Sequence, residues 1–120
     1  MTKIYRYIPA FLWMCFIFYL SSRQTTGIHS VVVNRFYILK TFHLVEYAIL
    51  AILLFYATLS HFSTILIAYL FSITDEYHQL FTSGRSGRLY DTLYDLIGVA
   101  IGLIIILTIK SIFSLKNTQK

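Results

Sequence analysis

The chain has 120 residues, 58% of them hydrophobic and 12% charged, with a mean hydropathy of +0.70 and a formal charge of +5. A water-soluble domain of this size needs more polar surface, so the composition excludes an ordinary soluble enzyme and indicates a small helical membrane protein, one domain over residues 1–120. The basic balance does not imply nucleic acid, because the Lys and Arg residues are scattered at the ends of apolar runs, where they anchor to lipid headgroups; the lone Cys15 rules out an intrachain disulfide.

A helix needs about 20 residues to cross the hydrocarbon core. Ile4 to Ser21 meets this, with Lys3 and Arg6 near its start. That outline is shared by signal peptides, but Leu20-Ser21-Ser22-Arg23 offers no small-x-small cleavage site, so an uncleaved first span over 4–21 is expected. Residues 22–40 read as a mixed polar loop with Gly27, Asn34 and Arg35, within which Ile28 to Leu39 is apolar enough to lie along the interface. The second span is expected over 41–59, with a tight turn at Ser60-His61. The next apolar run, Phe62 to Ile73, is too short to cross alone. Continued through Thr74 to about Phe81 it reaches the length, which puts Asp75, Glu76 and Gln79 in the last two turns of a third span, 62–81. A loop over Thr82 to Gly87 leads to a fourth span, 90–109, and a tail carrying Lys110, Lys116 and Lys120.

Four spans with short connections predict an all-α polytopic membrane protein, an antiparallel bundle of four transmembrane helices. This topology gathers the end of the first span, the start of the second, the end of the third and the start of the fourth at one membrane face. Those ends carry Ser21 and Ser22; Lys40, His43, Glu46 and Tyr47; Asp75, Glu76 and Gln79; and Asp91 and Asp95. Lys and Arg are evenly divided between this face and the face of the termini, so the positive-inside count is tied. Internal pairing of Lys40 and Arg85 would tip it toward cytoplasmic termini and an extracytoplasmic motif face.

Lys40, His43 and Tyr47 are spaced to share one helix face, with Glu46 beside it. Asp75 and Gln79 stand i, i+4 with Glu76 flanking, and His78 points elsewhere. Asp91, Asp95, Gly98 and Gly102 step along one stripe of the fourth helix, so the two aspartates continue into a Gly-x-x-x-Gly packing seam. Asp91 also suits a helix N-terminus. Buried carboxylates need partners, and Lys40 and Arg85 are the expected ones for Glu46, Asp75 and Glu76.

Such a set has two readings. One is a polar network that fixes the register of the bundle. The other is a site, because carboxylates beside a His and a Tyr are the material of acid–base chemistry, with His43, Glu46, Asp75 and Glu76 as its candidates. A divalent metal on Glu46, Asp75, Glu76 and His43 matches no recognised ligand spacing, so no metal and no cofactor is assigned. Gly84-Arg85-Ser86-Gly87 is not a Walker-type loop, but the Arg85 fork suits a phosphate or carboxylate.

These residues resemble a known family. Lys40-x-x-His43-x-x-Glu46-Tyr47 is similar to the K-x-x-H-F-x-x-Y motif of VanZ-like membrane proteins, with Leu44 where the family often has Phe. Asp75-Glu76-x-x-Gln79, Arg85, Asp91, Asp95 and Gly98 follow the family's D-E-x-x-Q…R…D…(D/N)…G order, with Arg88 as an extra charge, and Ser21-Ser22 also fits. The resemblance implies a bacterial cell-envelope protein of a family named for a member linked to resistance to the glycopeptide teicoplanin. It carries no biochemical mechanism.

The first expectation is therefore a polar site binding a polar or anionic headgroup, such as a lipid-linked envelope intermediate or the sugar-peptide part of a glycopeptide. Lys40 and Arg85 would engage the anion, Glu46, Asp75 and Glu76 would position them, and Tyr47, His43, Gln79, Asp91 and Asp95 complete the site. The second is an enzyme acting on such a lipid, with His43 or Glu76 as base and Arg85 stabilising developing charge. A small proton or ion conduit, built as an oligomer, is the third.

Overall fold

The computed structural model describes residues 4–23, 32–85 and 87–118, with the backbone alone at 32–36 and 118. Those residues are helical throughout apart from turns: α1 (Ile8–Ser21), α2 (Val32–Thr58), α3 (His61–Gln79) and α4 (Thr92–Thr118). A 3-10 turn, Ile4–Tyr7, leads into α1, where Pro9 occupies the first helical turn and forfeits no intrahelical bond. A second 3-10 turn, Leu89–Asp91, opens α4.

Two helices are longer than their expected spans. α2 begins at Val32, not 41, because nothing between 32 and 58 breaks a helix: the stretch holds neither Gly nor Pro. The interfacial segment expected over Ile28 to Leu39 is thus part of α2 from Val32 onward, and residues 24–31 lie outside the described residues. α4 likewise continues past 109 to Thr118, again without a breaker.

α2 and α3 are joined by Leu59 and Ser60 alone. Leu59 takes a left-handed φ of 57°, and its N–H donates to the Phe55 carbonyl (2.8 Å), closing α2. Ser60 caps α3 by accepting from the Ser63 N–H (3.3 Å). So short a link makes α2 and α3 antiparallel.

Three stretches are long and apolar enough to cross a membrane: Ile4–Ser21, Tyr37–Thr58 and Leu89–Asn117. α3 has 19 residues, roughly 28 Å at 1.5 Å per residue, and it is the polar helix of the four, burying Thr64, Ser72, Asp75, Glu76 and Gln79. The exterior is apolar, with Phe11, Leu12, Phe62, Leu70, Leu93 and Ile104 all exposed, as lipid contact requires.

α2 and α3 form the short diagonal of a rhombus: each touches the other three helices, whereas α1 and α4 do not meet among the described residues. The α2–α4 interface is the most extensive. It is a parallel seam, since Lys40 meets Asp91, Leu44 meets Gly98 and Ala48 meets Gly102 in ascending order. Ile17, Leu50, Ala51, Leu54, Ala68, Val99 and Leu103 form the apolar core beside it.

Candidate functional site

The α2–α4 seam sets the site's register. A Cβ on Gly98 would lie 2.5 Å from the Leu44 carbonyl oxygen, and one on Gly102 would collide with the Ala48 carbonyl, so only glycine lets the backbones approach this closely. At the polar end of the seam Lys40 Nζ lies 2.7 Å from Asp91 Oδ2. One turn further, His43 Nδ1 lies 3.5 Å from Asp95 Oδ1 and 4.0 Å from Glu46 Oε2. The other Asp95 oxygen accepts from the Ser72 hydroxyl of α3 (2.5 Å).

α3 delivers its two carboxylates from consecutive buried positions. Asp75 Oδ2 accepts from the Ser21 hydroxyl at the end of α1 (2.9 Å) and from the Gln79 amide (3.1 Å), the i, i+4 neighbour. Glu76 Oε2 accepts from the backbone N–H of Arg88 (3.1 Å). That bond depends on Gly87, where a Cβ would come within 2.5 Å of the Glu76 carbonyl oxygen, so glycine lets the loop lie flat on α3.

Arg85 projects from the same loop. Its Nη2 donates to the Leu20 carbonyl (3.2 Å), and its Nη1 lies 3.5 Å from His43 Nε2. The guanidinium thus ties the end of α1 to α2.

Every residue expected at the site occupies this half of the bundle, but the pairings differ from those expected. Lys40 makes its ion pair with Asp91, because the parallel seam places it at the top of α4, and its charge also acts on Glu76. Asp75 is held by hydroxyl and amide donors and Glu76 by a backbone N–H. Tyr47 is fully buried, and its hydroxyl has no hydrogen-bond partner among the described residues. Ser72 was not anticipated, although it stands three residues before Asp75 on the same buried stripe. Nor was the role of His78, whose ring stacks on Phe18 (centroids 4.0 Å apart) and bonds the Ser22 hydroxyl (2.8 Å), docking α1 on α3. Trp13 adds a further tie, donating to the Glu46 carbonyl (2.9 Å).

A pocket of about 300 Å³ opens between α1 and α2. Leu20, Leu39 and Phe42 form its apolar wall; Ser21, Arg23, His43, Glu46 and Arg85 supply its polar lining. It therefore combines hydrocarbon contact with two guanidinium groups and a carboxylate, the mixture that an amphiphile with a charged head requires.

An apolar exterior, membrane-length helices and a carboxylate-rich interior confined to one end define a polytopic helical membrane protein with a polar half-bundle. The VanZ/LLP1 family profile matches residues 7–111, and the chain belongs to that family. Neither the curated proteins nor the solved structures contain a match to it.

Proposed function

We propose that this chain is a cell-envelope membrane protein that binds the anionic headgroup of an envelope lipid in the pocket between α1 and α2. The observation behind this reading is the lining itself: Arg23 and Arg85 stand beside Leu20, Leu39 and Phe42 in one cavity. The guanidinium forks would take a phosphate or carboxylate while the apolar wall takes the first methylenes of the chain. Membership of the VanZ/LLP1 family is consistent with a contribution to glycopeptide resistance, teicoplanin above all; that it works through such a headgroup is part of this proposal. The motif face would look out of the cell, a reading helped by Lys40 being committed to Asp91 and so withdrawn from the positive-inside balance.

The test is native mass spectrometry of the detergent-purified protein with phosphatidylglycerol, a polyprenyl monophosphate and phosphatidylcholine. The anionic lipids should be retained and phosphatidylcholine lost. Arg85→Ala and Arg23→Ala should each weaken retention, and teicoplanin susceptibility of cells carrying Arg85→Ala should rise. Equal retention of all three lipids would sink the reading.

A second reading, acid–base catalysis on the same lipid, draws on the His43 ring lying between the buried Asp95 and Arg85. It requires that Glu76→Gln or His43→Ala abolish the phenotype while lipid retention survives. Full phenotype in both variants ends it.

A further inference from the structure

We infer that His43, Glu76 and Asp95 form a binding site for one divalent transition-metal cation. Each offers a donor atom, and the three lie within 4.8 Å of one another although they come from α2, α3 and α4. All three residues are buried, Asp95 to 1% exposure.

Two further observations point to a ligand. His43 Nδ1 and Asp95 Oδ1 face each other at 3.5 Å, too long for a good hydrogen bond, and neither atom has a second partner. Buried polar atoms left in this state are rare and costly, and a shared cation would satisfy both. The second is charge. Asp75, Glu76 and Asp95 are all buried together, and the ion pair of Lys40 is made with Asp91. Carboxylates crowded in a low-dielectric interior need a countercharge, and a divalent ion supplies two.

The donor set selects the metal. One imidazole and two carboxylates suit Mn²⁺, Co²⁺ or Zn²⁺, whereas Ca²⁺ takes six to eight oxygen ligands. Three protein donors leave room for water or for an anionic group entering from the pocket that His43 lines.

Arg85 bears on the site in a specific way. A guanidinium only donates, so its contact with His43 Nε2 requires a lone pair there and hence the ring proton on Nδ1. A cation on Nδ1 demands the reverse arrangement. Metal binding and the Arg85–His43 contact are therefore mutually exclusive, and loading moves Arg85 off the ring.

The site does not rest on the lipid-binding reading, and one variant separates the two. Protein stripped with EDTA in detergent is titrated with Mn²⁺, with bound metal counted by mass spectrometry and its ligands read by pulsed EPR. One Mn²⁺ per chain is expected, with nitrogen coupling from a single imidazole and a rise in Tm. Glu76→Gln and Asp95→Asn should each weaken affinity by more than about tenfold, since even outer-shell partners cost that much. Thr108→Ala, far along α4, should leave it unchanged. Arg85→Ala should tighten metal binding while weakening lipid retention. Absence of stoichiometric Mn²⁺, Co²⁺ and Zn²⁺ in the wild type, or bound Mn²⁺ without nitrogen coupling, overturns the proposal whether or not the variants fold.

Discussion

Gly98 lies against the backbone of Leu44, where a Cβ would sit 2.5 Å from the carbonyl oxygen and 3.1 Å from Tyr47 Cβ. A backbone oxygen inside a helix cannot swing aside as a side-chain tip can, so any larger residue must push α4 away from α2. Gly98→Ala is therefore expected to lower stability by about 1–3 kcal/mol, the usual cost of overpacking. Thermal unfolding in detergent measures it. Because Asp91 and Asp95 precede Gly98 on the same stripe, the displacement should also weaken lipid retention, whereas Ala at an exposed position such as Ile104 should do neither.

The ion pair at the polar end of this seam gives the second prediction. Lys40 and Asp91 side chains are 16% and 5% exposed, so removing either leaves a largely desolvated charge. Lys40→Met alone should cost on the order of 3 kcal/mol, because the lost partner, not the lost attraction, dominates. Lys40→Met combined with Asp91→Leu should regain most of that. A double-mutant cycle on unfolding free energies decides it; a double variant as unstable as the sum of the singles would show that the pair is not the source.

Ser21 and Ser22 are adjacent but have different surroundings. Ser21 is 2% exposed and donates to Asp75, whereas Ser22 is exposed where it meets His78. Ser21→Ala should cost about 1–3 kcal/mol by leaving a buried carboxylate short of a donor, and Ser22→Ala less. Comparing the two melting temperatures checks the order. Equal losses would place the strength of the α1–α3 contact in His78 and Phe18.

The half-bundle could be read from the sequence because polar residues at helix ends are conspicuous in apolar runs, and span counting alone brings those ends together. The seam was legible for the same kind of reason: Asp91, Asp95, Gly98 and Gly102 share a stripe whatever they pack against. What the sequence did not contain was the partner of each charge. Lys40 meets Asp91 because α2 and α4 run parallel as neighbours along one edge of the rhombus, and no local pattern encodes which helices are neighbours. Ser72 carries no sequence signal of its own, because a serine within a helix is usually neutral, and only its place three residues before Asp75 sets it apart. α2 and α4 run past the spans expected within them because the apolar length sets the span, whereas helical hydrogen bonding continues until a breaker stops it.

Leu59 adopts a left-handed conformation that costs an L-residue with a Cβ roughly 1–2 kcal/mol. Its side chain is 62% exposed, so little packing is lost if it is removed. Leu59→Gly should therefore stabilise the protein by about 1 kcal/mol, offset in part by the greater freedom glycine has when unfolded. A rise in Tm with unchanged lipid retention is the expected outcome. A fall would mean that Leu59 contributes through lipid contact rather than through the turn.

The proposed orientation can be tested with single cysteines, since Cys15 is the only one in the chain and is exposed on α1. In a Cys15→Ser background, Ser83→Cys lies in the loop after α3, on the face that carries Arg85, and Lys116→Cys lies in the last turn of α4. Lys40 is held by Asp91 and so is withdrawn from the positive-inside balance on this face. Arg6 and Lys110 lie at the opposite end, where Arg6 donates to the Tyr56 carbonyl (2.5 Å) and Lys110 lies 4.3 Å from the Phe55 ring centroid. With Lys116 they weight that end toward the cytoplasm. A membrane-impermeant maleimide should therefore label Ser83→Cys in intact cells and Lys116→Cys only after permeabilisation. The opposite pattern would turn the pocket toward the cytoplasm, and its lipid would then have to come from the inner leaflet.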